Sequence, residues 1–229
     1  MKTKLHILLS LWLAVLLTLN IPSPALAQDA LEPKQVEEKL QEISARLSAV
    51  NNLKAVFVQE RHLSILIEPL ISKGRCFFIR PRQLRWEIFQ PYHSLLIYNN
   101  KRMAKFDVQD GNLRKLQPGG EDLMREILGQ IIAWMQGDFE SAAKVYHLQM
   151  YRKETLHLVL RPRSKELAGN IQSIELIFSE AMDYIQTVRI IESQMDFIRI
   201  DFRQVEHNTE IPEGIFDLSN PLLINETDQ

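Results

Sequence analysis

Five cations crowd one stretch of the sequence, Lys73, Arg75, Arg80, Arg82 and Arg85, while His62, His93, His147, His157 and His207 are scattered along the rest of it. With the single cysteine, Cys76, these are the side chains whose types could do chemistry. Paired imidazoles bind metals or move protons, and only His147 and His157 are spaced so that adjacent strands would bring them together. Isolated histidines on strands are ordinarily half-exposed polar residues. Nearby cations can activate a thiol, but Cys76 opens the apolar run Phe77-Phe78-Ile79 and reads as a small buried hydrophobe. One cysteine closes no intrachain disulfide and, without a Cys/His cluster, builds no zinc site. Gly-x-Ser-x-Gly, His-Glu-x-x-His, Walker, Gly-x-Gly-x-x-Gly and EF-hand patterns are all absent from the sequence. No catalytic residue, cofactor or metal is therefore expected. Most of the cation cluster should simply solvate a sheet. Arg80 stands apart, because it ends the Phe77-Phe78-Ile79 run and precedes Pro81, which fixes it on a turn.

The elements that must position these residues follow from hydrophobic period. Val36, Leu40, Ile43, Leu47 and Val50 recur at helical spacing among charged residues, which predicts an amphipathic helix stopped by Asn51-Asn52. A second helix is predicted over 122–136, with Leu123, Ile127, Leu128, Ile131, Ile132 and Met135 on one face and Met124 and Trp134 widening it. Eleven strand-like runs surround these helices, at 53–60, 62–68, 75–80, 84–90, 94–99, 102–107, 145–151, 155–160, 171–179, 184–192 and 196–206. So many successive strands with two helices indicate one curved antiparallel sheet rather than βαβ units. Several strands are apolar on both faces, as in Phe77-Phe78-Ile79 and Leu95-Leu96-Ile97-Tyr98. A sheet with one wet face would not need this. Either the two helices cover the second face in an ordinary core, which periodicity alone favours, or a concave face encloses an apolar cavity with helices across its mouth.

A chain of 229 residues, 45% hydrophobic and 24% charged, can bury a sizeable core and is not disordered. Its formal charge of -2 argues against a dedicated nucleic-acid binder. Lys2 and Lys4 precede an apolar run from Ile7 to Ile21 and the small-x-small ending Ala25-Leu26-Ala27. This is the layout of a secretory signal peptide over residues 1–27, leaving 28–229 as one mature domain. Gln28 and Asp29 follow the expected cut, so no cysteine is placed there for a lipid anchor. A diffusing, soluble periplasmic protein is expected, without a stable membrane anchor.

The residues Phe57-Val58-Gln59, then Gly74, Arg80-Pro81, Leu84, Trp86, Gln90-Pro91 and Ser94-Leu95-Leu96 resemble the periplasmic lipoprotein carriers of LolA type. The stretch from Gly74 to Asp107 follows that pattern without a gap, and Pro212-Glu213-Gly214 before Phe216 closes it. The resemblance implies an incomplete, half-closed antiparallel β-barrel of about eleven strands, mainly β with α, whose helices form a lid over a hydrophobic concave face. It turns the choice between ordinary core and cavity towards the cavity. It also implies that acyl chains of a lipoprotein bind the apolar face, and that the Arg-Pro arginine, here Arg80, bonds to lid backbone in the closed state. Leu84 and Trp86 match apolar positions of the family. Phe57, Phe78 and Leu96 are further lipid-binding candidates, and Ile127, Leu128, Ile131 and Met135 are candidates from the apolar face of the middle helix.

The function implied is a monomeric periplasmic chaperone that shuttles lipidated proteins between an inner-membrane exporter and an outer-membrane receptor. A carrier of another acylated lipid, such as a glycolipid or polyene-type lipid, and a lipid-sensing interaction domain are the alternatives, and an enzyme comes last. Two departures from the family bear on cargo or partner contact: residues 63–70, Leu-Ser-Ile-Leu-Ile-Glu-Pro-Leu, are nearly all apolar where the carriers have a polar turn, and the segment joining Phe106 to the middle helix is unlike theirs.

Overall fold

A computed structural model describes residues 30–116 and 129–224. The first helix, α1 (Pro33–Ser48), starts with Pro33 at its first turn and a reciprocal cap in which the Glu32 amide donates to Gln35 Oε1 at 3.0 Å. Its Ile43 and Leu47 are buried and Val36 and Leu40 half-buried, the stripe that the sequence period predicts. Asn208 closes the other end, its Oδ1 accepting from the Asn51 amide at 2.7 Å and its Nδ2 donating to the Ala49 carbonyl at 3.2 Å.

The strands run β1 (Asn52–His62), β2 (Leu70–Ile79), β3 (Gln83–Gln90), β4 (Ser94–Asn99), β5 (Arg102–Gln109) and β6 (Asn112–Lys115), then β7 (Tyr146–Arg152), β8 (Leu156–Pro162), β9 (Ser173–Phe178), β10 (Ile185–Ile191) and β11 (Phe197–His207). Between the two groups lie α2, whose described part is 129–135, and α3 (Phe139–Val145), while α4 (Lys165–Ala168) joins β8 to β9. All eleven strands form one antiparallel sheet in the order β6-β5-β4-β3-β2-β1-β11-β10-β9-β8-β7. The first and last strands of that order do not pair, so the barrel is half-open, as the fold reading expects. Residues 30–31, just before α1, meet the β7 edge, where the Leu31 amide donates to the Met150 carbonyl at 2.9 Å.

Two details of the strand reading change. Residues 63–69 form a loop and not a strand: the Leu66 amide turns back to the Leu63 carbonyl and the Ser64 amide is held by Asp196 Oδ1 at 2.6 Å. The eleventh strand is instead β6, too short and polar to show a period, although Asp110-Gly111, both at positive φ (49° and 76°), is a hairpin turn signal.

The two-faced apolarity of the strands has a different cause from either alternative. The helices lie on one face, where α1 and α2 meet Leu53, Phe57, Phe78, Leu84 and Phe178. On the opposite face of β2 to β5 the irregular segment 211–224 covers Phe77, Leu95, Ile97, Ala104 and Phe106 with Ile215 and Phe216. Its carbonyls are bonded by Arg85, which donates from Nη1 to Ile215 at 3.0 Å and Leu222 at 2.7 Å, and by Arg75, which donates to Ile224. Arg85 and Glu87 are fully buried and Arg75 nearly so. These two arginines of the cation cluster therefore pin a strap to the sheet and do not solvate it. Charge alone did not reveal this; the burial of neighbouring Glu87 between them is what makes it tenable.

Candidate functional site: a roofed apolar face and Arg80

Alternation along the strands puts Leu53 and Phe57 of β1, Phe78 of β2 and Trp86 of β3 on the concave side with Phe202 of β11. Phe57 stacks on Trp86 with ring centroids 4.0 Å apart, and Phe202 meets both rings edge-on at 6.4 and 5.9 Å. A bulge at β11 opposite Lys54 and Val56, with Gln204 at φ 49°, shifts the phase by one residue and turns Val205 onto the same face.

The helices close over this face. Leu47 of α1 and Ile131, Trp134 and Met135 of α2 line a cavity with Val50, Leu53, Phe78, Val188, Phe202 and Val205. That cavity measures about 30 Å³, against roughly 300–1,000 Å³ for sites that enclose a ligand. The helices are thus packed down on the sheet and leave little space between them and it.

Arg80 bonds to the ends of both helices. Its Nε donates to the Val50 carbonyl at 2.7 Å, and its Nη2 donates to the carbonyls of Leu47 at 2.9 Å and Gln136 at 3.0 Å. Leu47 lies in the last turn of α1 and Gln136 follows α2, so one guanidinium serves carbonyls at the C-terminal ends of both helices, where the helical bonding pattern runs out. Its charge also faces the negative ends of two helix dipoles. Partial burial pulls the guanidinium below its ordinary pKa without discharging it. Around it, Gln136 Nε2 donates to the Pro81 carbonyl at 2.7 Å and Ser44 Oγ to the Gly137 carbonyl at 2.6 Å. Gly137 has φ 79°, and a Cβ there would stand 2.8 Å from Ser44 Cα, so the α2–α3 turn sits directly on α1.

The sequence-derived residues fall as follows. Phe57, Phe78 and Leu84 are fully buried on the concave side, Trp86 and Leu96 half-buried beside them, and Ile131 and Met135 half-buried in the roof. Phe78, Ile131 and Met135 line the cavity, whereas Phe57, Leu84, Trp86 and Leu96 lie along the face away from it. Ile127 and Leu128 lie outside the described residues. Sequence reasoning missed Phe202 and Val205, although the Ile198, Ile200, Phe202 alternation in β11 was a signal; the bulge that adds Val205 had none.

Three of the histidines, His62, His93 and His157, are engaged by carboxylates. His147 is opposite Arg161 and His157 opposite Tyr151, so β7 and β8 do not bring the two histidines together. His157 bonds to Glu175 at 2.7 Å, His93 to Glu87 at 2.8 Å and His62 to Glu60 at 3.1 Å. Burial pushes the Cys76 thiol up to about 12. Among the described residues no group of His, Cys, Asp and Glu is arranged to hold a metal, and no helix is long and apolar enough to cross a membrane.

No curated protein matches the chain in sequence. Among solved structures, a DUF1329 family protein from Desulfovibrio piger is similar over 82% of this chain and 99% of its own, at 10% identity and a TM-score of 0.46. The MucA/MucB complex of Pseudomonas aeruginosa is similar over 81% and 64%, at 13% identity and 0.47. Mycobacterium tuberculosis lipoprotein LppX is similar over 79% and 100%, at 6% identity and 0.43. The family model of the outer membrane lipoprotein carrier protein LolA matches residues 48–219, and the chain belongs to the LolA family.

Proposed function

We propose that the protein is a periplasmic carrier that binds the acyl chains of lipoproteins on its concave face and moves them from inner to outer membrane. The observation that carries this reading is the single arginine bonded to the C-terminal carbonyls of both roof helices. Such a device gives the roof a closed state that is discrete, so binding and release become a two-state matter.

The energetics suit a ferry. Each buried methylene contributes roughly 0.8 kcal/mol, so a chain of about a dozen carbons gains about 10 kcal/mol on leaving water. A permanently open pocket of that affinity would hold its cargo too long. Breaking the Arg80 bonds and unpacking Leu47, Trp134 and Met135 subtracts from the gain, which leaves the cargo transferable to a receptor that binds it better. The adaptable Met135 side chain suits irregular apolar cargo. In this reading residues 1–27 direct export and are removed, an inner-membrane exporter loads the carrier and an outer-membrane receptor unloads it. No residue acts as a catalyst.

Depletion tests the reading. Lipoproteins should accumulate in the inner membrane when the protein is withdrawn, measured by membrane fractionation; normal sorting in depleted cells overturns it.

A further inference from the structure

The lining of the apolar cavity is interrupted in one place, by Asp183 and Tyr184 of the β9–β10 turn. His207, the last residue of β11, stands beside them. Its ladder partner Leu53 lines the same cavity, so His207 belongs to the concave face. The Tyr184 and His207 rings are 5.6 Å apart. Asp183 Oδ2 is 3.6 Å from His207 Nδ1, which is too long for a hydrogen bond.

The mounting of this trio is firm while one of its ring nitrogens is unused. Ser179 Oγ donates to Asp183 Oδ1 at 2.8 Å, the Ser179 amide donates to the Tyr184 carbonyl at 3.0 Å, and Arg46 Nη1 ties the turn to α1 through the Ala181 carbonyl at 2.8 Å. His207 Nε2, by contrast, is buried with no partner, a condition that native proteins rarely leave unfilled. A buried imidazole nitrogen without a partner, beside a carboxylate that lines an otherwise apolar cavity, forms a place for hydroxyl or amide groups. Arg46, the cation that reaches this turn, is engaged by the Ala181 carbonyl at 2.8 Å and by Glu42 at 2.9 Å.

We infer that Asp183, Tyr184 and His207 form a head-group subsite selecting amphiphiles whose uncharged head donates hydrogen bonds, over anionic or donor-free heads on the same chain. This rests on the carrier reading and names the cargo chemistry of that same site. A donor on the head gives its proton to Asp183 Oδ2, and the imidazole takes or gives a second bond at Nε2. A phosphate head meets the Asp183 carboxylate instead.

The test uses the mature protein and three probes with one palmitoyl chain: monopalmitoylglycerol, methyl palmitate and palmitoyl lysophosphatidate. Each is titrated against the bound fluorescent probe N-phenylnaphthylamine. Monopalmitoylglycerol should displace the dye at about tenfold lower concentration than either of the others, the effect of one net hydrogen bond. In His207→Phe the ratio of monopalmitoylglycerol to methyl palmitate should fall to about one. Asp183→Asn retains an acceptor for Ser179 and serves as a second arm if His207→Phe does not fold; it should bring lysophosphatidate towards the glycerol ester. Equal displacement by the glycerol and methyl esters in the unaltered protein, a preference that survives His207→Phe, or a lysophosphatidate affinity unmoved by Asp183→Asn overturns the subsite alone. Displacement by none of the three overturns the carrier reading and the subsite with it.

Discussion

The Phe57 ring lies on the backbone of Gly74: a Cβ at Gly74 would stand 2.3 Å from Phe57 Cζ and 2.3 Å from the Glu87 carbonyl oxygen. The two residues are ladder partners on β1 and β2, and the missing side chain is what lets the ring lie flat and stack on Trp86. Any side chain at Gly74 must displace both an aromatic and a neighbouring strand. Gly74→Ala should cost roughly 1–3 kcal/mol of stability, as overpacking does, measured by urea unfolding. A variant as stable as the parent would mean that Phe57 swings away without loss.

Arg80→Leu removes three bonds and leaves the carbonyls of Leu47, Val50 and Gln136 without them. The roof should open: amide exchange in 44–50 and 131–137 rises, lipid still binds, and transfer to acceptor membranes or receptor falls. Arg80→Lys should behave nearly as badly, since an ammonium lacks the fork that reaches two helices at once. Unchanged exchange and transfer would make Arg80 a structural residue only.

The strap should fail in acid. Burial alone would raise the Glu87 carboxyl, but the hydrogen bond from Arg75, the charge of Arg85 and the bond to His93 outweigh it and hold it below the usual range. Bonds from the Ser219 hydroxyl and the amides of Asn220 and Ser219 hold Asp217, in the strap itself, at about 2. Both folded values are depressed, so the stability they add is present above the ordinary values of 4.5 and 3.8 and is lost as pH falls below them, in the case of Asp217 down to about 2. Urea midpoints measured from pH 6 downward should hold level and then drop below about 4.5. Glu87→Gln should flatten part of that drop and cost about 3–5 kcal/mol at neutral pH, because two buried guanidiniums lose their counter-charge. A midpoint independent of pH would contradict the assignment.

Ile65 and Ile67 are almost wholly exposed in the 63–69 loop, at 86% and 104%. Changing both to serine should move stability by no more than about 0.5 kcal/mol and weaken retention on a phenyl matrix. A larger loss of stability would mean that the loop packs on the domain.

Much of this was legible in the sequence because it is local. The helix period from Val36 to Val50, the strand alternation and Arg80-Pro81 at a strand end each follow from a few adjacent residues, and the Gly74 to Asp107 pattern carried the family. What was not legible depends on distant partners. Nothing near Phe77, Leu95 and Ile97 says that residues 211–224 cover them, and nothing near Arg85 says that Ile215 and Leu222 supply its acceptors. The loop at 63–69 misled for a related reason, since its apolar residues look like a strand until Asp196, from another hairpin, is seen holding Ser64.

The central claim is that the concave face carries the acyl chains of a lipidated protein. Native mass spectrometry of the protein released gently from the periplasm without detergent, followed by organic extraction of the same sample, tests it most directly. The account predicts a complex whose added mass is an acylated polypeptide, lost from Arg80-intact protein on incubation with acceptor membranes. A free lipid or glycolipid as the co-purifying species would contradict the lipoprotein reading, and protein that carries no acylated molecule under any loading condition would contradict the carrier.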